Sequence, residues 1–556
     1  MQIRRILWLA AILIPQIALA QPQQVADLIV VNARVHTVDD GRPMVSAFAV
    51  KDGRFMLAGS DTEIRALAGP STRVIDAGMS TIIPGMVDAH AHLLNLGTSL
   101  RQVKLAGSAT YEEVIARVVE FSRTMKPGEW IIGRGWDQNL WPGQQFPTHH
   151  ALSRAVPNNP VVLTRVDGHA LLANAMAMKA AGVTAASRDP EGGRIERLAD
   201  KSPSGVFVDN AEGLVTRAIP PASEQQRREA VIAAVAEANS WGLVGLHDAG
   251  VSRSTIDIYE SLAREGSFNL RAYVMISDNS ADIAHYAARG PQNGLHDGRI
   301  WIRSIKLYSD GALGSRGAAL LAPYADDPAN SGLLVSAPAH IERVALDGLR
   351  SGFQVAVHAI GDRGNRIALD AFASALKAAP TADHRFRVEH AQVISLDDIP
   401  RFAQLGVIPS MQGSHQTSDM GWAEARVGPE RIKGAYAWRS LLDHGGIIPN
   451  GSDFPVEEVN PLISFHSAVT RQAPSNLPPG GWYPEQAMTR AEALKSITIW
   501  PAWAAFQEKS MGSISPGKYA DFVMLDRDIM SVAPEQILDA RVRSTWLGGR
   551  AVYEGK

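Results

Sequence analysis

The middle of the chain alternates short apolar runs with stretches of helical periodicity, which is typical of βαβ units and a parallel sheet. Eight apolar runs are candidate barrel strands. We expect these strands to end near His92, His247, Met275, Tyr308, His358, His390, Met411 and Asp453. The interval between the first two ends is too long for one crossover, so it predicts an inserted subdomain at about residues 100–235. Residues 129–133 and 161–165 are the strands expected within it.

Both ends of the chain are instead rich in short strands. Apolar residues 47–50 and 54–58 flank residues 51–53, which predicts a hairpin with Asp-Gly in its turn. Residues 520–525 and 542–547 are also short runs of strand-like sequence. We therefore predict an α/β fold with a (β/α)8 TIM-like barrel, an inserted subdomain and a small β-sandwich domain built from both chain ends. The predicted boundaries are 1–20 for a signal peptide, 84–505 for the barrel, and 21–83 with 506–556 for the sandwich.

The first twenty residues form a separate unit. Arg4 and Arg5 provide a basic start, residues 6–14 are apolar, and small residues precede Gln21. This pattern predicts a secretory signal peptide that is cleaved near Ala20. The alternative is an uncleaved membrane anchor, for which the apolar run is short. We expect a periplasmic or secreted protein with no membrane span after cleavage, and the lack of cysteine fits a bacterial periplasm.

Composition narrows the chemistry that this chain can perform. Lys and Arg number 54 against 57 Asp and Glu, so there is no basic excess and we expect no nucleic-acid partner. With no cysteine, disulfides, thiolate metal sites and cysteine nucleophiles are excluded. Any metal must be held by imidazole, carboxylate or a modified side chain. A small-molecule substrate is the expected partner, and a homo-oligomer is compatible with the sequence.

His90 and His92 provide the strongest local signal for a metal site. Side chains at i and i+2 of a strand share a face, so both imidazoles point into the barrel if this strand belongs to it. Barrel active sites lie at the C-terminal strand ends, where His358, His390 and Asp453 are also expected. Each residue alone fits an ordinary strand end or, for Asp453, a helix N-cap. Together they indicate a metal centre.

Lys306 lies within an apolar strand and is a candidate bridging ligand. A charged, unpaired lysine at the barrel centre would be costly, and burial lowers the pKa of an amine. The neutral amine can take up CO2 to give a carbamate, an anion with two oxygens. The alternatives are a side chain that extends to solvent from the strand end, or an ion pair with Asp310.

These features together resemble the amidohydrolase superfamily, and within it the YtcJ-like branch of amidohydrolase family 3, which includes N-substituted formamide deformylase. The resemblance covers the mature chain nearly end to end. It rests on the motifs PGMVDAHAH (84–92), GWDQ (135–138), DGH (167–169), DGALGSR (310–316), HAIGD (358–362), EHAQ (389–392), GSDFP (451–455) and GSISPGKYAD (512–521).

The resemblance implies two divalent metals, with zinc expected because imidazole and carboxylate suit it. The implied ligands are His90, His92 and Asp453 for the more buried metal, His358 and His390 for the second, and Lys306 as a bridging carbamate. Asp453 would also take a proton from the attacking water and pass it to the leaving amine. His169 would hydrogen-bond the carbonyl oxygen or the substrate. A mononuclear site without carboxylated Lys306 stays open.

Substrate contacts are expected from the insert and from the loop after the Lys306 strand. The candidates in the insert are Trp136, Asp137 and Gln138, with Trp141 close by in the sequence. They either form a wall of the substrate pocket or pack inside the insert. Asp310 and Arg316 lie on the loop. Arg316 either meets a substrate carboxylate through a bidentate pair or holds the loop to Asp310.

The function that these residues favour is hydrolysis of a C–N bond in an amide, N-formyl, carbamate or cyclic amide substrate by metal-activated water. One alternative is an ester, lactone or phosphoester hydrolase that uses the same centre. Another is a periplasmic binding or regulatory protein that keeps the fold without catalysis. A structural metal protein is disfavoured because structural zinc sites are usually rich in cysteine.

Overall fold

The computed structural model of this chain describes residues 25–165, 168, 170–190 and 193–555. The predicted signal peptide and His169 lie outside these residues. Within the described part of the chain, no helix combines the length and the apolar character needed to cross a bilayer.

Eight parallel strands form the predicted barrel. The order of these strands in the sheet is the same as their order along the chain, so each strand is hydrogen-bonded to the barrel strand that precedes it and the one that follows it. The strands are β1 (Met86–Ala91), β2 (Leu243–Val251), β3 (Arg271–Ile276), β4 (Ile300–Tyr308), β5 (Gln354–Ala359), β6 (Arg387–His390), β7 (Ile408–Gln412) and β8 (Asn450–Gly451). Backbone hydrogen bonds just beyond β8 connect it to β1: the Asp453 amide donates to the His90 carbonyl (2.8 Å), and the His92 amide donates to the Phe454 carbonyl (2.9 Å).

Two strand ends differ from the sequence prediction. The end expected near His247 is wrong, because β2 continues to Val251 and leaves His247 buried in the barrel interior. β8 contains two residues, and Asp453 follows it in a left-handed conformation with φ 61°. The Asp453 side chain therefore occupies the barrel mouth on a turn rather than on a regular strand.

Apolar residues on the outer faces of the strands pack against surrounding helices. In β5, for example, Val355 and Val357 join the same buried cluster as Ile341 and Phe372 from the helices on either side of this strand. The helices of the barrel layer are Leu93–Leu100, Glu224–Ser240, Arg253–Arg264, Ser280–Ala287, Pro338–Arg350, Asp362–Ala378, Ile399–Leu405, Gly413–Asp419, Ala423–Arg431, Trp438–Asp443, Pro461–Thr470, Arg490–Ser496 and Ile499–Ala504.

The two chain ends meet in a β-sandwich. Its four-stranded sheet has the order Arg54–Gly59, Ala47–Lys51, Leu28–Val31 and Arg73–Asp76. Its six-stranded sheet has the order Arg550–Glu554, Val542–Leu547, Phe522–Leu525, Thr81–Pro84, Arg34–His36 and Met44–Val45. Phe48 and Phe522 meet edge to face between the sheets, with ring centroids 4.9 Å apart. The predicted hairpin is present, with positive φ at both Asp52 and Gly53, as a type I′ turn requires.

The chain between β1 and β2 contains a third sheet. Its strands, in order, are Gly193–Arg197, Pro203–Asp209, Ala170–Ala173, Val161–Arg165, Ile131–Trp136 and Val103–Lys104. Helices Tyr111–Ser122 and His149–Ala155 contribute to the buried apolar cluster on one side of this sheet. The inserted subdomain therefore has its own hydrophobic core beside the barrel.

Candidate metal centre

β1 and the turn after β8 bring two histidines to one carboxylate. His90 points into the barrel, and His92 follows the strand immediately before helix Leu93–Leu100. Their Nε2 atoms lie 3.7 Å and 3.1 Å, respectively, from Oδ1 of Asp453. The i, i+2 spacing on β1 thus brings both imidazoles to the same side of the site, as the sequence predicts.

A local backbone distortion adds His390 to this group. Arg387 and Glu389 of β6 both face the barrel interior, so regular alternation would direct His390 outward. Instead His390 has φ 72° and Ala391 has φ 43°. The His390 ring then lies 4.8 Å from the ring of His90 and 4.5 Å from that of His358, centroid to centroid. Left-handed backbone at a non-glycine residue carries strain and is concentrated at functional sites.

The resulting arrangement fits a cation. Ligand atoms of His90, His390 and Asp453 all lie within 4.8 Å of one another, and all three residues are buried. Nε2 of the adjacent His358 is buried and has no hydrogen-bond partner among the described residues. Imidazole nitrogens and carboxylate oxygens are suitable ligands for zinc and similar divalent metals.

The protonation states favour metal binding as well. Burial lowers the pKa of His90 to about 4 and that of His358 to about 3, and it holds the pKa of His390 well below its ordinary value. These imidazoles are neutral at pH 7, as ligands must be. Burial opposes ionisation of Asp453, but hydrogen bonding with His92 and the nearby His90 lower the pKa of Asp453 well below its usual range.

Lys306 reaches the same cluster from β4. Its Nζ lies 3.2 Å from Nε2 of His90, and the side chain is buried. Burial lowers the pKa of Lys306 to about 8. The side chain neither extends to solvent nor pairs with Asp310. The structure therefore places a buried lysine with a lowered pKa among the candidate metal ligands.

A buried ion pair beneath His90 was not anticipated from the sequence. Oε2 of Glu389 lies 2.5 Å from Nδ1 of His90, and Oε1 lies 2.7 Å from Nε of Arg387. Arg387 also lies 2.7 Å from Nδ1 of His247 and donates to the Ser410 hydroxyl. Glu389 fixes a proton on Nδ1 of His90, which leaves Nε2 free to bind a metal.

His415 is a second residue that sequence reasoning missed. It lies on helix Gly413–Asp419, after β7, with Nε2 at 3.8 Å from Oδ2 of Asp453. Its ring stacks at 5.7 Å on that of His390, and its buried Nε2 has no hydrogen-bond partner in the part of the chain that the structure describes. The signal that could have identified His415 is its position just after β7, a strand that the apolar pattern does predict.

The insert residues differ in their exposure. Trp136 is fully buried in the insert core, donates from Nε1 to the Leu163 carbonyl (2.7 Å) and stacks on Trp141. This geometry supports insert packing rather than a pocket wall for Trp136. Asp137 and Gln138 are partly exposed and both bind Arg165, at 2.7 Å and 2.8 Å.

The loop residues after β4 have structural partners. Asp310 is buried and accepts backbone amide hydrogen bonds from Ala319, Ile360 and Gly361, so it orders the loop around the barrel mouth. Burial raises the pKa of Asp310 to about 7. Arg316 pairs bidentately with Asp326 at 3.2 Å and 3.0 Å, rather than with Asp310.

Comparison with known proteins identifies the family. A profile described as the amidohydrolase family matches residues 73–553. This chain belongs to that family. It is 31% identical to the putative amidohydrolase YtcJ of Bacillus subtilis, over 94% of this chain and 98% of the relative. It is 28% identical to N-substituted formamide deformylase of Arthrobacter pascens, over 96% of this chain and 99% of the relative. The resemblance predicted from the motifs is confirmed.

A solved structure shows the same architecture. An uncharacterized metal-dependent hydrolase from Pyrococcus horikoshii superposes with a TM-score of 0.76 at 26% identity and covers 91% of this chain and 99% of its own. The predicted α/β barrel fold is confirmed. Family membership, this neighbour and the convergent His and Asp ligands together support a metal-dependent hydrolase that uses a divalent metal.

Proposed function

We propose that this amidohydrolase cleaves a C–N bond in an amide, N-formyl, carbamate or cyclic amide substrate. The observation that carries the proposal is the convergence of neutral imidazoles and the Asp453 carboxylate at the C-terminal mouth of the barrel. The similarity to N-substituted formamide deformylase supports a C–N bond over an ester. A divalent metal held there would polarise the substrate carbonyl and lower the pKa of water.

Asp453 is the proposed general base. It is buried, ionised and positioned on a turn at the barrel mouth, with His92 at 3.1 Å and His415 at 3.8 Å from its oxygens. A carboxylate Oδ atom in this position takes one proton from the attacking water and returns it to the leaving nitrogen, so that the amine departs neutral. His169 is proposed to hydrogen-bond the carbonyl oxygen or the substrate.

Two zinc ions per chain, with Lys306 carboxylated between them, complete the proposal. The neutral Nζ would attack CO2, forming a carbamate and releasing one proton. The proposed ligands are His90, His92 and Asp453 for one ion and His358 and His390 for the other. Burial of Lys306 supports this step because only the uncharged amine reacts. The proposed location is periplasmic or secreted, after cleavage near Ala20.

Rates of hydrolysis across a small panel of compounds test the function. The panel pairs N-formyl, N-acyl, carbamate and cyclic amide compounds with esters and lactones of the same side group. We expect zinc-dependent C–N cleavage that falls ~10²–10⁴-fold in Asp453→Asn, because this is the usual contribution of general-base catalysis. Asp347→Asn, at an exposed position, is the matched control and should be unchanged. Cleavage of esters alone would replace the proposal with the ester-hydrolase alternative.

A further inference from the structure

The barrel also has a polar cavity at the end opposite the His and Asp cluster. This cavity, of about 490 Å³, lies between the barrel and the sandwich. Three guanidinium groups line it: Arg264 ends a barrel helix, Arg299 precedes β4, and Arg550 begins a sandwich strand. Among the lining residues, all of which the structure describes, Asp297 supplies the one carboxylate.

Arg299 has an unsatisfied charge in this cavity. Within the described residues, its guanidinium has no hydrogen-bond partner and no carboxylate within 4.0 Å, and its Nη1 is buried. The nearby Asp521 binds Arg271 with both of its oxygens, at 2.6 Å and 2.9 Å, and reaches Arg299 only as a longer-range charge. Burial and the charge of Arg271 lower the pKa of Arg299 to about 10, so the side chain still carries its charge at pH 7.

Arg550 increases the same imbalance. It is exposed at the edge of the cavity and, in the part of the chain that is described, it too has no carboxylate within 4.0 Å. A buried or half-buried cation without a partner is unfavourable, and a bound anion removes that cost. Guanidinium groups bind carboxylate and phosphate oxygens through paired N–H donors.

We propose that this cavity is a second ligand site, which binds a small multivalent oxyanion (a phosphate or polycarboxylate group) between Arg299 and Arg550. Lys306 lies seven positions after Arg299, so their backbone positions are roughly 23 Å apart at ~3.3 Å per strand residue, and the anion site lies at the opposite end of β4 from the metal cluster. The anion connects Arg550 of the sandwich to Arg299 of the barrel, so its binding stabilises the junction between them.

An adjoining cavity of about 680 Å³ shares Arg299 and Arg550 but is a poorer candidate. Asp27, Asp52 and Asp297 line it, against Asp297 alone in the first cavity. Its two further arginines already have partners, since Arg271 pairs with Asp521 and Arg54 donates to the Gly517 carbonyl. The first cavity also has an apolar side formed by Leu547, Ala551 and Val552, which could accommodate the carbon skeleton of a polycarboxylate.

Titration calorimetry on the full chain tests the site, with inorganic phosphate and citrate as separate probes at constant ionic strength. We expect saturable binding of at least one probe, weakened at least tenfold in both Arg299→Gln and Arg550→Gln. Arg289→Gln, an exposed arginine outside the cavity, is the matched control and should bind as the parent does. Arg550 is exposed, so Arg550→Gln keeps the test valid if Arg299→Gln fails to fold.

Which probe binds will distinguish a phosphate site from a polycarboxylate site. Phosphate that binds only at the metals would be equally strong in the parent and in all three variants, and that result would overturn the proposal. Absence of binding by both probes would overturn it as well. Hydrolytic activity measured without added anion should be the same in Arg550→Gln as in the parent chain.

Discussion

Replacement of Glu389 by glutamine tests whether the buried ion pair beneath the cluster positions His90. Glutamine keeps the shape of the side chain but removes the negative charge. The Nδ1 proton of His90 loses its carboxylate acceptor at 2.5 Å, and Arg387 loses its buried partner at 2.7 Å. Both Arg387 and Glu389 are fully buried, so water cannot replace what is lost.

The expected magnitudes follow from this burial. Removing one partner of a buried ion pair costs about 3–5 kcal/mol of unfolding free energy, because the remaining charge is left uncompensated. Loss of the carboxylate that orients a metal-binding histidine lowers metal affinity by about 10–100-fold. Despite burial, Arg387 and His90 lower the pKa of Glu389, so its contribution is present above pH ~4.3, the ordinary value for Glu, and decreases as the pH falls below it.

Urea unfolding of the metal-free protein and zinc competition with a chelator measure the two effects separately. Glu342→Gln, at an exposed position, is the control and should change neither. The double variant Arg387→Met/Glu389→Met removes both charges, so it should recover much of the stability but not the zinc affinity. Wild-type zinc affinity in Glu389→Gln would refute the positioning role, and unchanged stability would refute the ion-pair argument.

Three further predictions follow from the same site. Lys306→Ala should lower the metal content from about two to about one per chain, because a bridging ligand is lost. If elemental analysis still finds two metals in an active variant, the carbamate is removed from the proposal. The metal-free protein should lose stability as the pH falls below ~6.5, by up to about 1.4 kcal/mol per pH unit for each of His90 and His358. The reason is that histidine in the unfolded chain takes up a proton near pH ~6.5, whereas the folded pKa values of these two residues are about 4 and about 3. A urea midpoint that stays constant from pH 7 to 5 would contradict this. His415→Asn should reduce kcat at least tenfold with unchanged metal content, because its Nε2 faces Asp453; equal kcat in steady-state assays would make His415 a packing residue.

The features that depend only on residues close together in the sequence could be predicted. The i, i+2 rule on β1 correctly placed His90 and His92 together, and the Asp-Gly turn correctly gave the hairpin at Asp52 and Gly53. His390 was expected at a strand end, but alternation alone would have directed it away from the centre. The positive φ that turns it inward depends on tertiary contacts, which periodicity does not encode.

Residues that depend on distant partners were not predictable. Arg387 and Glu389 are charged residues in a fully buried strand, and only the closed barrel shows that His247 and His90 lie next to them. Trp136 illustrates the same limit, because an aromatic residue after a strand fits a pocket wall as well as the core it occupies. The Arg316 and Asp326 pair depends on a loop conformation that the sequence pattern does not specify.

Metal content and activity, measured before and after chelation, test the central claim most directly. Elemental analysis of the purified protein should find about two divalent metals per chain, with zinc the main species. Chelation should abolish hydrolysis, and added zinc should restore it. Protein that holds no divalent metal after reconstitution, or that hydrolyses its substrate equally well after complete chelation, would contradict a metal-dependent hydrolase centred on His90, His390 and Asp453.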